Sequence, residues 1–147
     1  KVGAPTEIEM IEKKHRIEDA LEAVRSAQLE GIIAGGGVGL VRASKVLKKL
    51  KVNTDAENIG VRIIKQSCEE PLRQMSLNAG ESPDIILDIV SKARGNKGYN
   101  FSTGKTQDMV EGGIIDPVKV TKTALRNACS VASTLLTTNY AIIDVEG

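Results

Sequence analysis

Two aspartates in this 147-residue sequence stand at positions where a carboxylate could take part in catalysis or ligand binding. Asp19, in "RIEDALEAVR", offers the acid that general-base or metal chemistry requires, or it is a surface ion-pair partner of Arg16. Asp116, in "IIDPVK", follows a short apolar run and precedes a helical pattern. Its carboxylate suits a ribose hydroxyl, or it caps the helix with Pro117 at the first helical position.

Three consecutive glycines, Gly35 to Gly37, stand in "EGIIAGGGVGLVRASK" between an apolar run and a helical pattern. Glycine loses much backbone entropy on folding, so a triplet needs a reason. It marks either a turn or a place where the backbone approaches a ligand just before a helix N-terminus. The stretch is neither a Walker A loop nor a complete dinucleotide-binding fingerprint, so the two alternatives stay open.

The remaining candidates for chemistry are isolated residues. Asn100, in "GYN", either hydrogen-bonds a base edge or caps a turn. His15 is the single histidine, stands among charged residues and has no nearby nucleophile, so we predict no catalytic role for it. Cys68 and Cys129 lie in helical patterns without a Cys-x-x-Cys motif, so we predict two reduced core residues and no metal site.

Composition narrows the class of protein. Hydrophobic residues make up 41% and charged residues 27%, which is typical of a soluble globular chain. The net charge is +1 and aromatic residues make up 2%, which argues against nucleic acid as a partner. No apolar run approaches the roughly 18 residues of a membrane span, so we expect no membrane partner.

The hydrophobic pattern predicts a mainly α protein with a few short strands. A long helix over residues 5–30 begins with a capping box formed by Thr6 and Glu9 and ends at Gly31, which marks a domain boundary. Further helices are predicted over 38–50, after Thr54, from Pro71, from Ser82 and over 118–137, and short strands at "IIA", "GYN", "GGIIDP" and "NYAIIDV".

Several separated stretches agree with one protein family. They are "KVGAPTEIEMIEKKHRIEDALEAVRSAQLEGIIAGGGVGL", "PLRQMSLNAG", "GYNFSTG" and "MVEGGIIDPVKVTKTALRNACSVASTLLTT". In order and spacing they closely resemble the C-terminal part of the group I chaperonins, the GroEL-like family. The resemblance implies a fragment, in which residues 1–30 are the end of the intermediate domain and residues 31–147 are the C-terminal part of the helical equatorial ATP-binding domain.

The resemblance also implies function and partners. The parent would be an ATP-dependent chaperone that assembles as a double ring and folds non-native polypeptides in its cavity. It would bind ATP or ADP with magnesium, with most phosphate and metal ligands outside this chain. Co-chaperonin and unfolded polypeptide would bind a missing apical domain. The compartment would be the bacterial cytoplasm or an organellar matrix or stroma.

By the same resemblance, the glycine segment passes over the nucleotide ribose at Gly35 and Gly36, where side chains would collide with the nucleotide. Asp116 would contact the ribose hydroxyls, and Asn100 and Ile114 would border the adenine.

Asp19 would position or activate the attacking water when the intermediate domain closes. Two residues depart from the family pattern. Phe101, at the adenine border, stands where the family usually has a small residue, and Lys122 stands where arginine is expected. Two rival hypotheses remain: a stand-alone helical oligomerisation module without catalysis, and an unrelated nucleotide-binding enzyme.

Overall fold

Helices make up most of this computed structural model, which describes residues 1–143, and the predicted mainly α class is confirmed. The strands form two small antiparallel sheets, β1 with β4 and β2 with β3. The helices are α1 (Glu7–Glu30), α2 (Val38–Ser44) with a 3₁₀ helix (Lys45–Lys49), α3 (Asp55–Ser67), α4 (Glu70–Asn78), α5 (Pro83–Lys92) and α6 (Val118–Leu136). The strands are β1 (Ile32–Ala34), β2 (Lys97–Asn100), β3 (Lys105–Asp108) and β4 (Ile115–Pro117).

Capping boxes start two of the helices as predicted. In α1, the Glu9 N–H donates to Thr6 Oγ1 over 3.3 Å and the Thr6 N–H donates to Glu9 Oε2 over 3.2 Å. Thr54 and Glu57 repeat the arrangement at α3. Each box satisfies backbone donors that the first helical turn leaves free, so these boundaries follow from local sequence.

Strand β4 corrects the expected helix start at Asp116. Asp116 lies within β4, opposite Ile33 of β1, and Pro117 is the N-cap of α6. The Val118 N–H donates to the Gly31 carbonyl over 3.1 Å, so the register with β1 extends into the first turn of α6. The N-cap alternative for Asp116 is therefore wrong, because pairing with a strand far away in the sequence fixes its backbone.

The β2–β3 hairpin contains one predicted and one unpredicted strand. The stretch "GYN" lies in β2 as expected, and Tyr99 pairs with Thr106 of β3. Phe101 follows in the turn, and its ring meets that of Tyr99 edge-on at a centroid distance of 5.1 Å. Its departure from the family pattern thus has a packing role at the core.

The core lies between α2, α4, α5 and the β2–β3 hairpin. Cys68 is buried as predicted, whereas Cys129 is only half-buried, and both thiols are free. The buried apolar cluster consists of Ala34, Val38, Val41, Leu72, Ile86, Val90, Tyr99 and Met109.

The two ends of the described chain are exposed. Helix α1 contacts α6 and β4, yet none of its residues is buried. Residues 139–143 of the predicted strand "NYAIIDV" are exposed and form no strand. The last two residues of that stretch lie outside the described residues.

Candidate functional site

A cavity of about 530 Å³ lies between the glycine turn, the α3–α4 junction and α6. Gly36, Gly37 and Asp116 contribute to its wall, so it contains three of the residues singled out from the sequence. The lining includes no lysine or arginine from the described part of the chain. The α6 side of the cavity consists of Val120, Thr121, Ala124, Leu125 and Ala128.

Asp116 supplies the carboxylate of this cavity. It is half-buried, and among the described residues no hydrogen bond or ion pair reaches its side chain. Burial raises the pKa of the Asp116 carboxyl above its ordinary value of 3.8. A carboxylate that has lost water without gaining a donor is suited to accept hydrogen bonds from a ligand's hydroxyl groups.

Gly35 is required by the chain's own packing. Its N–H donates to the Ile114 carbonyl over 2.9 Å, and a Cβ at this position would lie 3.1 Å from that oxygen. The contact brings Ile114 beside the glycine turn, next to the strand that holds Asp116. Because the crowding atoms belong to the backbone, a side chain here would require the Ile114–Ile115 backbone to shift, whether or not a nucleotide is bound.

Gly36 and Gly37 have positive φ angles of 65° and 75°. A Cβ on Gly37 would lie 3.0 Å from the backbone nitrogen of Leu72, whereas one on Gly36 would meet the flexible end of Met109 at 3.0 Å. The turn alternative therefore accounts for the triplet, and the expected collision with a nucleotide is not needed to explain it. Met109, which no sequence pattern indicated, is a buried core residue whose terminal methyl packs close to Gly36.

Asn100 lies at the end of β2 and does not contribute to the cavity wall. Its Oδ1 accepts a hydrogen bond from the Ser102 N–H over 2.9 Å, which is the turn-capping alternative. The side-chain amide N–H groups are not engaged by that bond. Of the residues predicted for the site, Gly36 and Asp116 contribute to the cavity wall. Gly35 and Ile114 are joined to each other by a backbone hydrogen bond, and neither they nor Asn100 contribute to that wall.

Asp19 is exposed in the middle of α1. At 1.5 Å per residue it lies about 18 Å along the helix from Gly31, outside the cavity. The ion pair with Arg16 is not formed among the described residues; on this helix Lys14 pairs with Glu18. Asp19 is a free carboxylate on the segment that joins the rest of the protein at Gly31.

Lys122 holds the start of α6 to the end of α1. Its ammonium forms an ion pair with Glu30 of the same chain. Lys122, which stands where arginine is expected, therefore has an ion-pair partner within the chain.

Two classes of feature are absent from residues 1–143. No group of three or more His, Cys, Asp or Glu side chains there is placed to hold a metal ion. None of the helices in that range is long and apolar enough to cross a membrane.

Comparison with known proteins defines the class. Residues 1–146 match the TCP-1/cpn60 chaperonin family, and the chain belongs to that family. A solved relative, described as a group III chaperonin in the open state, is 29% identical with a TM-score of 0.82. The match covers 96% of this chain and 30% of that one, so this chain spans under a third of the relative's length. The predicted chaperonin family is confirmed.

The partial burial of the Asp116 carboxyl predicts that the free energy of unfolding depends on pH. Because its folded pKa is raised, the folded state binds this proton more tightly, and stability falls as pH rises from about the ordinary 3.8 through the folded pKa. We expect Asp116→Asn to be more stable than wild type at pH 7, with the difference disappearing below about pH 3.8. Urea unfolding across this range measures it. A constant difference at every pH would contradict this origin.

Proposed function

We propose that this chain is the C-terminal portion of a group I, GroEL-like chaperonin subunit, which uses ATP and magnesium to help non-native polypeptides fold inside a double ring. Residues 1–30 would be the end of the intermediate domain and residues 31–147 the C-terminal part of the equatorial domain. Co-chaperonin and unfolded polypeptide would bind the part of the subunit outside this chain. The compartment would be a bacterial cytoplasm or an organellar matrix or stroma.

The unpartnered Asp116 carboxylate in a cavity beside the glycine turn is the observation that carries the nucleotide assignment. The ribose of a nucleotide offers two hydroxyl donors, which suit this acceptor. Gly36 adds no side chain to the wall, and its neighbour Gly35 carries none either, so a ribose could approach the backbone of the turn closely. Ile114 and the free amide N–H groups of Asn100 would border the adenine.

This chain alone does not supply the residues that would bind the phosphates and magnesium of a nucleotide. No cationic side chain from residues 1–143 contributes to the cavity wall, and the same residues contain no cluster that would hold magnesium. Phosphoryl transfer depends on positioning and on charge neutralisation at the phosphates. Those ligands would come from the rest of the subunit, and bound ATP would supply the cleavable phosphoanhydride.

Asp19 would act on water. Its distance from the cavity means that α1 must move before the carboxylate reaches a bound nucleotide. Once there, it would accept a proton from, or orient, the attacking water. This arrangement separates nucleotide binding, which Asp116 would serve, from hydrolysis, which Asp19 would control.

The proposed function predicts recovery of a denatured protein that depends on ATP. The intact subunit with magnesium and ATP should restore activity to a chemically denatured enzyme, whereas the 147-residue chain alone should show neither recovery nor ATPase activity. Recovery by the intact subunit that is equal with and without ATP would contradict the proposal. ATPase activity in the isolated chain would contradict the inference that the phosphate ligands lie elsewhere.

The oligomerisation module remains the second candidate, and exposed apolar residues at the C-terminal end favour it. Leu136 is 83% exposed and Tyr140 is 91% exposed. Apolar patches of this kind mark interaction surfaces. We expect the isolated chain to self-associate, with a mass by light scattering that rises with concentration. A monomer at high concentration would count against a self-pairing surface.

A further inference from the structure

The Met109 side chain packs between the β2–β3 hairpin and the glycine turn. It directly follows β3, is 1% exposed and is not among the residues that line the cavity. A Cβ on Gly98 of β2 would lie 2.8 Å from Met109 Cγ, and a Cβ on Gly36 would lie 3.0 Å from Met109 Cε. One side chain therefore fills the space that two glycines, distant in sequence, leave open.

The backbone of Met109 connects the same two segments. Its N–H donates to the carbonyl of Asn96, just before β2, over 3.0 Å. Its carbonyl accepts a hydrogen bond from the Ile114 N–H over 2.7 Å, and the Ile114 carbonyl accepts one from the Gly35 N–H over 2.9 Å. This series of hydrogen bonds runs from the base of the hairpin to the first glycine of the turn.

The hairpin is in turn attached to α2. The Arg42 guanidinium, on α2, donates to the Ala93 carbonyl and, over 2.9 Å, to the Lys97 carbonyl at the start of β2. Because α2 begins after its N-cap Gly37, the same helix holds the end of the turn and the hairpin beside it. Met109 therefore has a fixed support on the hairpin side, and its terminal methyl lies at a defined place beneath Gly36.

We propose that Met109 is a positioning residue of the nucleotide site and holds Gly36 in the conformation that a bound nucleotide requires. The inference rests on the proposed function, because it takes the glycine turn as the place where the ribose approaches. Met109 acts through Gly36 and does not itself touch the ligand.

The need for such a support follows from the backbone of glycine. Gly36 has a φ angle of 65°, and glycine adopts positive and negative φ angles about equally readily, so its own backbone does not select this conformation. Packing against Met109 Cε does select it. When a binding-competent conformation is only partly populated, the apparent affinity falls by that fraction.

Met109→Leu separates positioning from core packing. Leucine fills nearly the same volume beside Gly98 but lacks the terminal methyl that reaches Gly36. In the intact subunit we expect amide hydrogen exchange at residues 35–38 to be roughly 10-fold faster and ATP affinity roughly 10-fold weaker than in wild type. The urea midpoint should fall by less than about 1 M, because the core volume is conserved.

Ile86→Val is the matched control for these changes. Ile86 lies on α5 in the same buried cluster and is 2% exposed, and a Cβ on Gly36 would not meet it. The loss of one buried methyl group should lower the urea midpoint at least as much as Met109→Leu does. Amide exchange at residues 35–38 and ATP affinity should both stay at the wild-type level.

The possible results distinguish this inference from the proposed function. A wild-type subunit that binds no ATP would overturn the proposed function, and this inference with it. If wild type binds ATP, then unchanged exchange in Met109→Leu, or faster exchange with unchanged affinity, would overturn the positioning role alone. An equal loss of affinity in Ile86→Val would also overturn that role, because it would assign the effect to core packing in general.

Discussion

Replacing Asp19 with alanine in the intact subunit is expected to slow ATP turnover by about a hundred- to ten-thousand-fold while nucleotide affinity stays close to that of wild type. The carboxylate lies outside the cavity on an exposed helix, so it does not contribute to the ground-state binding site. A group that acts only when α1 moves in affects the transition state and leaves ATP binding intact.

Single-turnover hydrolysis, measured beside nucleotide affinity, tests this expectation. Glu18→Ala is the matched control, because Glu18 is the adjacent exposed carboxylate and pairs with Lys14 over 3.5 Å. It should turn over ATP at nearly the wild-type rate. Rapid hydrolysis by Asp19→Ala would show that Asp19 is only a solvated surface residue of α1. An equal loss of ATP turnover in Glu18→Ala would indicate that the substitutions damage the helix.

Replacing Gly37 with alanine is expected to lower the free energy of unfolding by about 2–4 kcal/mol. The new Cβ would lie 3.0 Å from the Leu72 backbone nitrogen, and the φ angle of 75° disfavours any L side chain. Backbone cannot yield as a side-chain end does, so α4 must shift away from the turn.

Gly60→Ala is the matched control for that loss. Gly60 lies inside α3 with nothing within 4 Å of a new Cβ, so alanine should raise stability by about 0.5–1 kcal/mol. Urea unfolding of both variants gives the comparison. Equal stability of the two would show that neither the contact with Leu72 nor the φ angle controls the turn.

A substitution at Gly36 distinguishes the two alternatives for the glycine triplet, a turn and a close contact with a ligand. A side chain there meets the terminal methyl of Met109, which can move, so Gly36→Val should cost less stability than the same change at Gly37. In the intact subunit we expect Gly36→Val to weaken nucleotide binding more than it weakens folding. Unchanged affinity in the folded fraction would assign Gly36 to the turn alone.

Local hydrogen bonding explains what was predictable in the fold. The capping boxes at Thr6 and Thr54 and the proline at the start of α5 mark helix boundaries within a few residues of sequence. Strand β3 was missed because "KTQD" contains only polar residues, so it has no hydrophobic signal of its own. Its position follows from the hairpin turn and from pairing with β2.

The candidate site was harder to predict because it depends on contacts between distant segments. Asp116 was expected either to cap α6 or to bind a ligand, and only the pairing of β4 with β1 removed the first alternative. The glycine triplet was recognised, yet its dependence on Leu72 and Ile114 required the tertiary structure. The apolar wall on α6 had a sequence signal, its helical periodicity, although that pattern alone did not connect it to Asp116.

The most direct test of the account is the affinity of the intact subunit for ATP and for 2′-deoxy-ATP, measured by calorimetric titration in wild type and in Asp116→Ala. A hydrogen bond to a charged group contributes about 1.5–3 kcal/mol, so wild type should bind ATP roughly 10- to 100-fold more tightly than the deoxy analogue. Asp116→Ala should bind the two with nearly equal affinity. Equal affinities in wild type, or the same preference in wild type and variant, would contradict the claim that Asp116 holds the ribose.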